Sequence, residues 1–342
     1  AVNYLTTFCD TTVVLCSATQ PVFDKLPKNR LLPPKELVED YVRYDEAFRR
    51  VTLIDRTEIK PGGLTVEELG DFVLEQFAVE KQILVIVNTK TCARNLYLYL
   101  KKHSDRAGEL FHLSTNMCAL NRREVLDRLK ECLETEDHPK PVICVSTQLI
   151  EAGVDLSFRC VIRSLAGLDN LIQAAGRCNR HGAWANGNVY LVKMSDEAER
   201  VSRLTEIKTA QTAMEEILRC YKEAPETVGR DLLSAKAKEQ YYLRYLRDQT
   251  RQTEFCVNVH GADTTLVDLL SENETAKRQY RRHMGKPLKS MMKQSFRTAG
   301  DQFEVISEEG KRNVVVEYDE EVVSMLEELQ NPYILYRRQK EI

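Results

Sequence analysis

The sequence predicts an α/β protein: a parallel sheet with helices on both faces, followed by a smaller mixed α+β region. Three observations carry this. Continuous apolar runs such as ILVIV (83–87) and VICV (142–145) read as strands covered on both faces. Stretches of helical periodicity lie between the runs, and strands alternating with helices of this length build parallel sheets. Polar residues gather where the runs stop, and in such sheets ligands bind beyond the strands' carboxyl ends.

The elements follow in order. Residues 11–15 (TTVVL) read as a buried strand with no helix or strand before it, running into Ser17-Ala18-Thr19. A domain starting on an inner strand reads as cut, so 1–20 is expected to close one domain. Residues 21–63, rich in proline and charge, read as a connector with little core of its own. The next domain, 64–195, opens with a helix over 65–81 that has Glu67 and Glu68 in its first turn. A strand at 83–87 leads to Asn88-Thr89 and a helix through Leu100. A strand at 110–113 ends in Ser114-Thr115, and a helix runs to about Leu133. The strand at 142–145 stops at Ser146-Thr147-Gln148; strands at 160–162 and 188–192 flank a helix within 171–182. From Asp196 the composition changes. A long helix over 197–222 dominates a linker, 196–230, and a helix over 235–249 opens a C-terminal domain, 231–342. There, 267–270 and 291–296 are apolar patches, and 303–306 and 314–318 have the pattern of a strand pair.

With 342 residues the chain is long enough for two or three domains, and 43% hydrophobic with 30% charged residues is the balance of a soluble globular protein. A formal net charge of −3 excludes global attraction to nucleic acid, so any such surface is a local patch. No apolar run reaches bilayer-spanning length, and the start lacks the basic region of a signal peptide. Ten cysteines with no C-x-x-C read as buried hydrophobes in a reducing cytoplasm, and no metal site is expected.

The chemistry concentrates in LIQAAGRCNRHG (171–182). Gln173, Arg177 and Arg180 are spaced i, i+4 and i+7, which puts them on one face of a helix. Arginine presents a planar, permanently charged fork that matches phosphate oxygens, as a site acting on a transferring γ-phosphoryl group requires. Gly176 removes a side chain beside Arg177 and would permit close approach of a backbone or ligand. The plain alternative is a surface helix whose arginines sit in salt bridges.

Taken in order, the strand-end residues resemble the second half of a superfamily 2 helicase core. Ser17-Ala18-Thr19 resembles motif III, VNTK (87–90) the motif IV region, Ser146-Thr147-Gln148 with EAGVD (151–155) motif V, and Gln173-x-x-Gly176-Arg177-x-x-Arg180 motif VI. With FHLSTNMC (111–118) and QSFRTAGDQFEVI (294–306), nearly the whole chain resembles the CRISPR-associated helicase-nuclease of type I systems. That family carries an HD nuclease, two RecA-like lobes, a linker helix and a C-terminal domain.

The resemblance implies a RecA-like fold and an ATP site shared between two lobes, with Mg²⁺ held by the first. It makes Arg177 and Arg180 the second lobe's arginine fingers, with Gln173 positioning the nucleotide or the attacking water. Asp155 would bond the ribose or order the interlobe contact, Gly153 would keep its loop tight, and Gly176 would sit at the nucleotide. Thr147 and Gln148 match positions that hold a single strand's phosphates; Asn88, Thr89, Ser114 and Thr115 are similar candidates. Ser17, Ala18 and Thr19 would couple nucleotide state to the lobes. Each has a plain alternative: Asp155, Asn88, Thr89, Ser114 and Thr115 as helix caps, and 17–19 as a strand-end turn. The implied partners are single-stranded DNA, traversed 3′-to-5′ during degradation of invading DNA, and a CRISPR surveillance complex in the cytoplasm.

The run 275–297 holds Lys277, Arg278, Arg281, Arg282, Lys286, Lys289, Lys293 and Arg297 with no acid. It reads either as a single-strand path with Tyr280 or Phe296 for stacking, or as a solvated loop. No G-x-x-x-x-G-K-[ST] loop occurs, no histidine precedes an aspartate, and Asp45-Glu46-Ala47-Phe48 fails as a DExx box. The chain is thus expected to lack the phosphate-loop lobe and the nuclease, and to be inactive on ATP alone. The rival readings are a non-catalytic nucleic-acid-binding or interaction module and a different superfamily 2 helicase acting on DNA or RNA.

Overall fold

The computed structural model describes residues 2–17, 19, 22–25, 31–38, 49–104, 108–134, 140–151, 153–247, 255–303 and 314–330. The chain divides into two compact units, Ala1–Gln249 and Thr250–Ile342.

The first unit is built on six parallel strands: β1 (Val51–Arg56), β2 (Gln82–Ile86), β3 (Glu109–Leu113), β4 (Val142–Ser146), β5 (Cys160–Ser164) and β6 (Gly187–Val192). Their spatial order is β1-β6-β5-β2-β4-β3. Every residue of β2, β4 and β5 is buried, as the continuous apolar runs require of strands covered on both faces. Among the described residues, seven α-helices and the first of the 3-10 turns accompany the sheet. They are α1 (Val2–Phe8), α2 (Val66–Glu80), α3 (Lys90–His103), α4 (Ala119–Glu134), α5 (Leu168–Ala175), α6 (Thr205–Glu223), α7 (Ala235–Arg247) and a short 3-10 turn, Phe23–Lys25.

Strand alternation separates two cores. In β2, Ile83 and Val85 pack with Leu69, Val73 and Phe77 of α2 and Leu96 of α3. Leu84 and Ile86 face the other way, into a cluster with Leu129 of α4, Leu171 of α5, Met214 of α6 and Tyr241 of α7. The α2 start is fixed locally: Thr65 accepts the Glu68 N–H at 3.3 Å while Glu68 accepts the Thr65 N–H at 2.9 Å.

Four sequence expectations are corrected here. Residues 11–15 form no strand; they are mostly exposed coil after a helix, α1, and pair with no strand among the described residues. The stretch 21–63 is not all connector, because VTLIDR is edge strand β1, paired in register with β6 from Val51↔Gly187 to Arg56↔Val192. The long helix begins at Thr205, not 197, since 196–204 turns to bury Glu199. The unit boundary falls after Gln249, because Tyr241 and Tyr242 of α7 are part of the first unit's core.

The second unit holds a hairpin, β7 (Cys256–Val259) with β8 (Ala262–Thr265), and helices α8 (Leu266–Leu270), α9 (Glu274–Met284), α10 (Phe296–Asp301) and α11 (Glu320–Gln330). Its turn is His260-Gly261, at φ 50° and 80°, the left-handed pair a tight hairpin takes. Leu266, Leu269 and Ala299 make a small core with Val257 and Val259. Of the expected strand pair, 314–317 is exposed, Tyr318 is half-buried and no strand forms over 314–318, while 304–306 lies outside the described residues.

Candidate nucleotide and nucleic-acid site

Topology decides where the motif residues go. All six strands are parallel, so the segment joining β4 to β5 must travel from the carboxyl end of the sheet to its amino end. Residues 147–159 do this. Helix α5 makes the same journey between β5 and β6. Thr147 and Gln148 therefore sit at the carboxyl end, while Asp155, Arg177 and Arg180 meet at the amino end.

The expected single helical face does not form. Helix α5 stops at Ala175, Gly176 is its cap, and Asn179 adopts a left-handed φ of 47°. Backbone bonds from the Phe158 N–H to the Arg177 carbonyl (2.9 Å) and from the Asn179 N–H to the Phe158 carbonyl (2.8 Å) pin the arginine loop to the lead-in of β5. Asn179 is fully buried and donates to the Arg50 and Trp184 carbonyls, so it replaces a helical turn with a fixed loop. Gln173 stays half-buried in the last turn of α5. A Cβ on Gly176 would lie 3.3 Å from the Gln173 carbonyl oxygen and 3.5 Å from that of Ile172, so no foreign backbone presses on it. Gly153 takes a left-handed φ of 74°, a conformation that favours glycine.

The two arginines have different surroundings. Arg177 is only 7% exposed, and donates from Nε to the Ile150 carbonyl (3.0 Å) and from Nη2 to that of Glu151 (2.7 Å). Burial, and then the nearby Arg180 charge, lower its pKa. Arg180 is exposed: its Nε donates to Asp155 Oδ1 at 2.7 Å and its N–H to Ser157 Oγ at 2.9 Å. That hydrogen bond from Arg180 holds the Asp155 carboxyl below its ordinary range. Arg50 Nη1 donates to the Arg180 carbonyl at 2.6 Å, and His181 Nε2 lies 3.9 Å from Asp155 Oδ1. Arg50, Asp155, Ile172, Gly176, Arg180 and His181 line an open groove of about 680 Å³.

At the carboxyl end lies a buried polar network that sequence reasoning missed. Arg163, with no exposed surface, pairs through Nε with Glu151 Oε1 at 2.9 Å. Its Nη1 donates to Asn88 Oδ1 (2.8 Å) and the Ser164 carbonyl (2.9 Å). Glu199 accepts from the Asn88 N–H, from Asn88 Nδ2 at 2.8 Å and from Ser164 Oγ at 2.5 Å. Asn170 Nδ2 completes the set with a 3.0 Å bond to Glu151 Oε2. Burial pushes the Glu151 carboxyl up in pKa, against the pull of Arg163. The available signal was Arg163 itself: a charge inside an otherwise apolar strand demands a buried carboxylate.

The remaining candidates divide. Asn88 is buried with its amide engaged in this network. Thr89 caps α3 by accepting the Cys92 N–H at 3.2 Å. Ser114 is buried and Thr115 exposed, and neither caps α4, which starts later at Ala119. Thr147 is buried, and Gln148 is half-buried at the start of a 3-10 turn. Ser17 and Thr19 form a local turn, the Thr19 N–H donating to Ser17 Oγ at 3.2 Å, and Tyr242 of α7 donates to the Thr19 carbonyl at 3.3 Å. Ala18 lies outside the described residues.

In the amino-end groove Arg180 and His181 lie beside the Asp155 carboxylate and Arg50 lines the same groove, a donor set whose chemistry suits an anion such as phosphate. A divalent metal does not fit: among the described residues no three His, Cys, Asp or Glu side chains are placed to hold one.

A parallel six-stranded sheet covered on both faces, with a Gly-x-Asp turn and an arginine loop at one end, is a RecA-like lobe. Residues 79–183 match the family described as CRISPR-associated nuclease/helicase Cas3, C-terminal. The chain is 49% identical over 61 residues to a Haloferax volcanii CRISPR-associated nuclease/helicase Cas3, covering 17% of this chain and 6% of that protein. It is 33% identical over 121 residues to the Streptococcus thermophilus protein of the same name, covering 34% of this chain and 13% of that one. The crystal structure of T. fusca Cas3 is similar at 21% identity and a TM-score of 0.44, over 60% of this chain and 25% of that one. The matched stretches are thus a small part of those relatives' length. Residues 79–183 are similar to the C-terminal part of CRISPR-associated nuclease/helicase Cas3.

Proposed function

We propose that the first unit is the arginine-bearing, second RecA-like lobe of an ATP-driven single-strand translocase that helps degrade invading DNA in type I CRISPR immunity. The observation that supports this most is the exposed Arg180–Asp155 pair beside Arg50 and His181. Arg180 is the guanidinium free to exchange partners, because leaving Asp155 uncovers no buried group. A γ-phosphate developing charge between two lobes is a stronger acceptor than one exposed carboxylate. Arg177 anchors the loop through the Ile150 and Glu151 carbonyls, and Gln173 positions the nucleotide. Asp155 and Gly153 shape the turn opposite. Single-stranded DNA passes the carboxyl end, where Thr115 is exposed and Gln148 accessible, with Thr147, Thr89, Ser114 and Asn88 supporting those loops.

The phosphate loop, the Mg²⁺ it carries and the HD nuclease come from other parts of the working enzyme, which a CRISPR surveillance complex recruits. ATP bound between lobes supplies the phosphoryl group that is hydrolysed; this chain orients it and stabilises its charge.

The test is steady-state ATPase of the full enzyme carrying this chain. Arg180→Ala is expected to lower kcat roughly 10³-fold with nucleotide binding retained, and Arg180→Lys to restore little, since an ammonium lacks the planar fork. A loss under tenfold removes Arg180 from the finger role. The chain by itself is expected to turn over no ATP, and turnover that survives Arg180→Ala overturns the shared-site reading.

A further inference from the structure

The basic run of the second unit is unused by the mechanism above. Its structure separates cations that are neutralised from cations that are not. Lys277 pairs with Glu272 at 2.7 Å and Glu274 at 2.8 Å, and Lys293 with Glu272 at 3.3 Å. The other six, Arg278, Arg281, Arg282, Lys286, Lys289 and Arg297, are exposed and form no ion pair among the described residues.

These six lie on one helix-and-return segment whose two ends are tied together. Helix α9 ends at Gly285, whose φ of 68° turns the chain back on itself. Asp268 fixes the start of α9 by accepting the Glu274 N–H at 2.8 Å and the Thr275 N–H at 3.1 Å. Asn273, 2% exposed, ties the returning segment to the same point, donating from Nδ2 to the Lys293 carbonyl (2.8 Å) and Ser295 Oγ (2.9 Å). The Ser295 N–H donates to the Leu269 carbonyl at 2.8 Å, joining both to the small core. Arg278, Arg281 and Arg282 share a helix face at i, i+3 and i+4, with Lys286 and Lys289 on the returning segment. Helix α9 buries none of its residues. Phe296 is 59% exposed and Tyr280 half-exposed on α9, two accessible rings within the same segment as the cations.

We propose that this pinned loop, 278–297, is a binding site for the sugar-phosphate backbone of a single-stranded nucleic acid, with Phe296 and Tyr280 stacking on its bases. Unpaired guanidinium and ammonium groups at helical spacing suit a repeating phosphate, and exposed rings beside them suit bases that are not already stacked in a duplex. A chain with net charge −3 attracts a polyanion only where its cations are segregated, as they are here. The residues of this loop include none of the arginine loop and none of the carboxyl-end network.

The experiment titrates the full chain with a fluorescent oligothymidylate at several salt concentrations. Arg281→Glu/Arg282→Glu/Lys286→Glu is expected to weaken binding at least tenfold and to flatten the log-log salt slope by about 2, from three lost phosphate contacts. Phe296→Ala is expected to weaken it about fivefold or more with the slope unchanged. Lys277→Gln/Lys293→Gln, which removes cations already neutralised, is expected to change it less than twofold. Unchanged affinity in the triple variant overturns the proposal. So does a polyglutamate peptide or an anionic phospholipid vesicle that binds as tightly as the oligonucleotide and is lost with the same variant, since either marks a surface for an acidic protein or a membrane. Arg180→Ala leaves oligonucleotide binding by this loop intact, so failure here and failure of the lobe assignment are read separately.

Discussion

Two arginine–carboxylate pairs stand at the two ends of one short segment, and they behave oppositely. At the carboxyl end of the sheet Arg163 and Glu151 are buried, at 0% and 3% side-chain exposure; at the amino end Arg180 and Asp155 are 42% and 70% exposed. The nitrogen–oxygen distances are nearly equal, 2.9 and 2.7 Å. Distance therefore says little about what each pair does. The buried pair is enclosed by Asn88, Asn170 and Ser164 and has no water to fall back on, so it fixes the 150–151 turn. The exposed pair is interchangeable with solvent or a ligand.

The largest effect expected from breaking this contrast is at Arg163. Arg163→Met leaves Glu151 buried without its cation, and such a removal costs about 3–5 kcal/mol. Urea unfolding should show it as a large fall in midpoint. Asp155→Ala, which removes the exposed pair, should move the midpoint no more than an ordinary surface substitution. The sharper form is Arg163→Met/Glu151→Met: replacing both partners by apolar groups should recover most of the loss. If the double variant is as unstable as the single one, the network, and not the ion pair, carries the stability.

A smaller effect is expected at Glu199, 4% exposed, which brings the turn before α6 onto β2 and β5. Its two oxygens accept from the Asn88 backbone, the Asn88 amide and the Ser164 hydroxyl. Glu199→Gln turns one acceptor into a donor facing donors, a mismatch worth about 1–3 kcal/mol. Glu199→Asp keeps the charge but shortens the reach, and should fall between. A Gln variant as stable as the parent would mean that Glu199 is not the acceptor these contacts require.

The sequence made the strands legible and the polar network illegible, for the same reason. ILVIV, VICV and the neighbouring runs are buried on both faces, so composition alone marks them, and all lie within observed strands or a residue beyond. Strand β1 was hidden because an edge strand is only half-covered, and VTLIDR carries two charges in six residues. The arginine motif's spacing points to one continuous helix, and the backbone departs from it after Ala175. Helical spacing holds through Ala175, but the left-handed Asn179 lies in a loop that tertiary bonds to Phe158 and Arg50 impose. Glu199 falls inside the stretch expected to be the long helix over 197–222, where nothing marks it out from other acids. Only the fold, which brings it beside Asn88 across 111 positions, reveals its role.

The smallest effect sharpens the comparison through pH. The Glu151 carboxyl is raised above its ordinary 4.5 by burial, so between 4.5 and that raised value the native state holds a proton the unfolded chain has lost. Its contribution to stability is therefore greatest at low pH and is lost as pH rises through this window. Asp155 runs the other way: bonding by Arg180 lowers it below 3.8, so its contribution is present above 3.8 and is lost as pH falls through the lowered value. Unfolding midpoints measured from pH 4.5 upward should then decline less steeply in Glu151→Gln than in the parent, while Asp155→Asn should leave that range unchanged and alter only the acid limb. If both variants shift the same limb, the two carboxylates titrate as one coupled system, and the separation between a fixed buried pair and an exchangeable exposed pair does not hold.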